Sequence, residues 1–199
     1  MSNYEKMAAA GADLFLEKDQ DQLLARYPLQ HDDTFIYVTL LGEKYRIERS
    51  SGCVLCGDGL ADPREALIVL DMVCNNVGAP VMTGTWCSMA ETSGASNSPG
   101  TSALFDEKIA TFTGRTEELR AACEAIGGRA VAGGEVSFEI EVFEGFRTWL
   151  QFWDADDEFP AQLTFLWDKS TRLYLHFETL WYIMYSILDK LIAHVDAAE

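Results

Sequence analysis

The sequence predicts a single α+β domain over residues 1–199, with an antiparallel sheet (early hairpin plus later meander) and helices packed mainly on one face. Three observations carry this prediction. Strand-like runs are separated by amphipathic helices without the regular βαβ alternation that builds a parallel sheet. Residues 135–143, Glu-Val-Ser-Phe-Glu-Ile-Glu-Val-Phe, alternate with the period of a half-buried strand. Residues 62–65, Asp-Pro-Arg-Glu, are a helix start: a capping carboxylate, a proline at the first helical position and a glutamate that reaches back. The chain has 199 residues, 48% of them hydrophobic, which suffices for one packed core, and no linker divides it.

Taken in order, residues 4–17 place Tyr4, Met7, Ala8, Gly11, Leu14 and Phe15 at helical spacing, and the small residues there let another element approach closely. Residues 22–27 add a short helix before Pro28. Residues 34–41 are β-branched and aromatic, Gly42-Glu43 turns, and residues 44–49 alternate, so the three form a hairpin with one wet face. The helix that starts at Asp62 carries Ala66, Leu67, Leu70, Val73, Cys74 and Val77 on one face and stops at Gly78 and Pro80. Residues 83–103, rich in Gly, Ser and Thr and containing Trp86, read as a loop of the length that carries function. Helices follow at 104–112 and 116–126, the second with Glu117 and Glu118 in its first turn, where the helix dipole favours them. Strands at 135–143, 146–153 and 163–167 form the meander. A last helix over 176–195 buries Leu180, Met184, Ile187, Leu188, Leu191 and Val195. It also spreads Trp181, Tyr182 and Tyr185 around its girth, which predicts a second contact and, from it, a homodimer.

Charge and composition narrow the function. Thirty-two acidic residues stand against fifteen basic ones, a formal charge of -17, which repels phosphate backbones and anionic lipid; no nucleic-acid partner is expected. The longest apolar run, 180–188, is about half of what a bilayer crossing requires, and the first residues are not a basic leader with an apolar segment, so no membrane association and a cytoplasmic location are expected. Five cysteines, an odd number, argue for reduced thiols.

Few motifs carry chemistry. Residues 149–168 hold three of the five tryptophans, with Asp154, Asp156, Asp157 and Glu158 crowded into a loop between two apolar runs. Carboxylates that close repel one another unless water, a cation or protein donors surround them. Cys53 and Cys56 have the spacing of half a metal site, but no second pair of ligands follows at close spacing. His31, His176 and His194 are scattered singly, and no phosphate loop, Gly-x-Ser-x-Gly elbow or His-Glu-x-x-His pair occurs. The sequence assigns no cofactor.

The helix beginning Arg64-Glu-Ala-Leu, then residues 78–88 around Gly84-Thr85-Trp86, Ala125-Ile-Gly-Gly128, residues 152–160 with their Glu-Phe-Pro and Leu166-Trp-Asp168 together resemble the DUF3786 family of anaerobic bacteria and archaea, over nearly the whole chain. Gly84-Thr85-Trp86 stands where the family usually has Gly-Glu-Trp, and Ala90 stands where an arginine usually precedes the later glutamate, here Glu91. Some members resemble fusions to iron–sulfur domains of the corrinoid-protein type, and the resemblance therefore implies a link to anaerobic corrinoid or one-carbon metabolism. Two functions follow as expectations. The first is a non-catalytic binding or accessory module, in which Trp86 and Glu91 of the tryptophan loop and Trp153, Asp154, Asp157 and Glu158 of the acidic loop form two sides of a pocket for a planar or cationic small molecule or a protein partner of anaerobic metabolism. The second is a metal-dependent enzyme, with Asp154, Asp156, Asp157 and Glu158 as oxygen ligands to Mg²⁺ or Ca²⁺.

Overall fold

The computed structural model describes residues 2–93 and 102–197. Helix α1 (Asn3–Leu16) begins at Ser2, whose hydroxyl accepts the Glu5 amide while the Glu5 carboxylate takes the Ser2 amide. Asp19 caps α2 (Gln20–Arg26) in the same manner by accepting the Gln22 amide. Strands β1 (Phe35–Leu40) and β2 (Glu43–Glu48) pair antiparallel, with Leu40 opposite Glu43, and so leave a two-residue turn. Both turn residues have positive φ, 49° at Leu41 and 79° at Gly42, the combination that matches strand twist in a tight hairpin. Leucine is an expensive residue in that conformation. Here its side chain is buried and its amide donates to the Val142 carbonyl of the other sheet, at 2.9 Å, and these contacts hold it.

Strands β3 (Val54–Cys56) and β4 (Gly59–Leu60) extend the hairpin into a sheet of order β1-β2-β3-β4. Helix α3 (Pro63–Asn75) follows, its Asp62 cap accepting the Arg64 amide as the sequence predicts. Next come β5 (Trp86–Ser88), α4 (Met89–Ser93), α5 (Ser102–Ala110) and α6 (Thr116–Ala125). The second sheet joins β5, β6 (Arg129–Ala130), β7 (Val136–Phe143), β8 (Phe146–Trp153) and β9 (Gln162–Asp168) in the order β5-β9-β8-β7-β6, every pairing antiparallel. The expected loop over 83–103 therefore contributes an edge strand and a short helix, and its residues 94–101 lie outside the described ones.

The α+β class and the β7-β8-β9 meander are as the sequence predicts; the hairpin and the meander, expected in one sheet, occupy two. The reason lies at the outer edge of β1. Residues just ahead of the strand cover it: the Tyr37 amide donates to the Gln30 carbonyl, the Asp32 amide to the Phe35 carbonyl, and His31 bridges Ile36. An edge already hydrogen-bonded offers little to a second ladder.

Helix α7 (Phe177–Asp196) runs through the core and buries Leu180, Ile183, Met184, Ile187, Leu188, Leu191 and Val195. The aromatic residues on the rest of its girth are met within the chain. Phe105 of α5 stacks on Trp181 and meets the Tyr185 ring edge-on at 4.6 Å between centroids, and Tyr4 of α1 meets Tyr182 at 5.9 Å. Its polar row is anchored too: Asp189 binds Arg64 and Lys108, and Lys190 lies 2.8 Å from Glu43. No helix among the described residues is long and apolar enough to cross a membrane.

Helix α1 lies on α3 and on the turn after β2. Gly52 in that turn has φ of 70°, and a Cβ there would sit 2.7 Å from the Ala12 carbonyl oxygen. Gly52→Ala combines left-handed strain with a backbone clash that no rotamer relieves, so it is expected to cost about 2 kcal/mol or more in urea unfolding and to loosen α1 first. Unchanged amide exchange across residues 3–16 would show that α1 is held independently of this contact.

Candidate functional site

The tryptophan loop is organised by Asp168 at the end of β9, a carboxylate with no solvent exposure. It accepts from the Thr83 amide and hydroxyl, from the Gly84 amide at 2.7 Å, and from the Ser170 amide and hydroxyl. Burial works to raise its pKa, but the donors from Ser170 and Thr83 outweigh it, and the carboxyl lies below the usual aspartate value. This cradle sets β5 against β9, with Trp86 opposite Asp168 and Ser88 opposite Leu166. Trp149 of β8 is also opposite Leu166, so Trp86, Trp149 and, two and four residues on, Gln151 and Trp153 share one face of the sheet. The rings of Trp86 and Trp149 meet edge-on at 5.7 Å, and the Trp149 indole donates to the Ser137 hydroxyl at 2.7 Å. Glu91 accepts the Ser88 amide and hydroxyl, which lowers its pKa and closes the start of α4.

The acidic loop folds on itself. Asp154 takes the Gly114 amide on both oxygens, at 3.0 and 2.9 Å, and the Ala155 amide at 2.8 Å. Asp156 accepts the Glu158 and Phe159 amides, a turn aspartate commonly makes, and these donors lower its pKa. Asp157 and Glu158 are exposed. The two loops expected to face each other across a pocket lie at opposite ends of β9. Trp86 is level with Asp168 and Trp153 with Gln162, six residues or about 20 Å along the strand. Among the described residues no three His, Cys, Asp or Glu side chains converge to hold a metal ion. Cys53 and Cys56 stand in an extended stretch, where residues three apart point to opposite faces, one exposed and the other half-buried.

A third place is concave. Helices α1, α3 and the start of α7 enclose a cleft of about 230 Å³ whose walls include Met7, Gly11, Leu14, Leu67, Leu70 and Tyr182. Gly11 keeps its wall open, since a Cβ there would come 3.3 Å from a Leu70 methyl. At one end the cleft reaches a group of polar side chains centred on Asp71, whose own side chain is only 9% exposed. Four donors converge on that carboxylate: the His176 amide at 2.9 Å, His176 Nδ1 at 2.5 Å, the Thr179 hydroxyl at 2.5 Å and the Asn75 amide group at 2.7 Å. Asp71 thereby pins the first turn of α7 to α3 and fixes the imidazole. Cys74, on the cleft floor, is a thiol: burial pushes its pKa up to about 11. Sequence reasoning missed this site because its halves are 105 residues apart. The one local signal was a lone carboxylate, Asp71, inside the buried run 66–74 of α3.

The chain is thus an antiparallel two-sheet α+β domain with an interhelical cleft that ends in a hydrogen-bonded carboxylate and imidazole. The chain belongs to the family described as Domain of unknown function (DUF3786), whose family model matches residues 19–189. Asp71, His176 and Thr179 fall inside that match, and α1, which supplies the outer wall of the cleft, precedes it. Neither the curated proteins nor the solved structures contain a match to the chain.

Proposed function

We propose that this protein is a non-catalytic binding module of anaerobic corrinoid or one-carbon metabolism, and that it holds a small molecule in the cleft between α1, α3 and α7. The observation that carries the reading is the cleft itself: apolar walls supply burial, while a few polar groups held rigid at one end supply orientation. The acidic loop supports the metal-dependent alternative less well, because Asp154 and Asp156 already accept backbone amides. Leu67 lines the cleft and is half-buried, so Leu67→Trp fills it at small cost to the core. Native mass spectrometry of protein purified anaerobically from its host is expected to show a small-molecule adduct on the wild type and none on Leu67→Trp. The melting temperatures should lie within a few degrees. A wild-type protein free of any adduct would count against the proposal, as would an adduct that survives the substitution.

A second reading rests on the tryptophan face, where Trp153 remains 39% exposed on the same side of the sheet as the half-buried Trp86 and Trp149. Such residues are over-represented at protein contacts, and a second copy of this chain is the simplest partner. Light scattering should then give a dimer for the wild type and a monomer for Trp153→Ala. A monomeric wild type at high concentration removes this reading.

A further inference from the structure

We infer that the outer edge of β1 holds a second binding site, at Thr39, for a planar molecule with an amide edge, that is, a hydrogen-bond donor and an acceptor side by side. The hairpin register sets it up. In an antiparallel pair every second residue turns its N–H and C=O away from the partner strand. In β1 these residues are Phe35, Tyr37 and Thr39: on the side away from β2, the Phe35 carbonyl accepts the Asp32 amide and the Tyr37 amide donates to the Gln30 carbonyl. Two residues past Thr39, the Leu41 amide reaches the Val142 carbonyl. Thr39 lies between these contacts, and among the described residues neither its N–H nor its C=O has a hydrogen-bond partner on that side. Proline is the reason. The covering segment pairs His31 with Ile36, and the same register continued would set Pro28 against Thr39. Pro28 has no N–H to give the Thr39 carbonyl, and the chain turns off there, with the Leu29 amide donating to the Tyr27 carbonyl.

What remains is a cavity rather than a bare edge. About 510 Å³ opens between residues 27–30, residues 37–39 of β1 and Glu144 in the turn after β7, within the roughly 300–1,000 Å³ usual for small-molecule sites. Pro28, Leu29 and Tyr37 give it apolar wall. Tyr27, only 8% exposed, also lines it, and its hydroxyl has no partner among the described residues. Burial and then the Glu144 carboxylate, another wall group, push the Tyr27 pKa up, so the phenol end lies toward Glu144. Lys44 and Glu144, of opposite sign, both line the cavity, and its charge therefore does not choose the guest. The backbone pair does. A carboxylate offers only acceptors and an amidinium only donors, so each leaves one of the two Thr39 groups facing its own kind, whereas a carboxamide or lactam meets both. Thr39 is exposed, and each bond to it is worth only its net share over water.

The test is nitrogen-15 NMR of the full chain in roughly 0.15 M salt, which screens distant charges, titrated with four probes of nearly one shape: benzamide, acetophenone, benzoate and benzamidinium. Benzamide is expected to move the Thr39 amide saturably. It should bind about three- to tenfold more tightly than acetophenone, in which a methyl replaces the donor, and more tightly than either ion. Thr39→Pro removes an N–H that makes no bond to β2, and it should erase the preference for benzamide; if that variant does not fold, the four wild-type affinities decide alone. Leu67→Trp should leave benzamide binding unchanged, because the helical cleft shares no wall residue with this cavity. Acetophenone or either ion binding as tightly as benzamide overturns the inference, and so does a Thr39 amide that no probe moves. Shifts confined to α1, α3 and α7 overturn it as well, while leaving the cleft as the binding site of this protein.

Discussion

Asp168→Ala is expected to lower the unfolding free energy by about 3–5 kcal/mol in urea titration, because it strands several polar groups gathered round one buried carboxylate. The Thr83, Gly84 and Ser170 amides and the Thr83 and Ser170 hydroxyls all donate to it. Those donors fix both the entry to β5 and the turn after β9, so near-ultraviolet circular dichroism from Trp86 and Trp149 should change along with stability. A loss below about 1 kcal/mol, the worth of one ordinary hydrogen bond, would mean that the β5 ladder holds the loop unaided. Acid gives a second readout. The folded pKa of Asp168 is depressed, so its contribution is fully present above the unfolded value of about 3.9 and is lost as pH falls through the folded value. Wild-type stability should drop steeply below about pH 4, and Asp168→Asn, weaker throughout, should show a shallower drop over the same range.

Asp71→Ala should cost about 2–4 kcal/mol, for the same kind of reason at the start of α7. It removes the acceptor shared by the His176 amide and ring, the Thr179 hydroxyl and Asn75, and thus the tether between α3 and the first turn of α7. Nitrogen-15 shifts of the His176 ring report the local effect directly. In the wild type they should show a proton held on Nδ1, the nitrogen that faces Asp71, and in Asp71→Ala that preference should be lost. An imidazole that keeps the Nδ1 proton without Asp71 would mean that another group, or the ligand, sets its orientation.

Local chemistry made much of this fold legible. Asp62, Pro63 and Glu65 placed the start of α3 because a capping carboxylate and a proline act within one turn. The alternation of residues 135–143 placed β7, because one side of the sheet is core and the other carries Ser137, Glu139 and Glu141. Non-local pairing was not legible. That β5 lies beside β9 depends on Asp168 gathering Thr83 and Gly84, about 85 residues away in the chain, and that the hairpin stands apart depends on residues 30–32 covering its edge. Trp86 and Trp153 do share a sheet face, but the length of β9 separates Trp86 from the acidic loop. Within that loop, Asp154 and Asp156 accept backbone amides, an outcome their turn-forming chemistry allows as readily as ligand binding. The cleft was invisible for a different reason: apolar walls look like core in a sequence, and only the geometry of α1, α3 and α7 leaves space between them.

Amide hydrogen exchange on protein purified anaerobically from its host, compared with the same protein after denaturation, dialysis and refolding, tests the central claim that this cleft holds a small molecule. Slower exchange in the untreated protein is expected in α1, in the second half of α3 and in residues 174–182, with the tryptophan face and the acidic loop unchanged. Identical exchange in the two samples, or protection that falls on residues 86–88 and 149–158 instead, would contradict it.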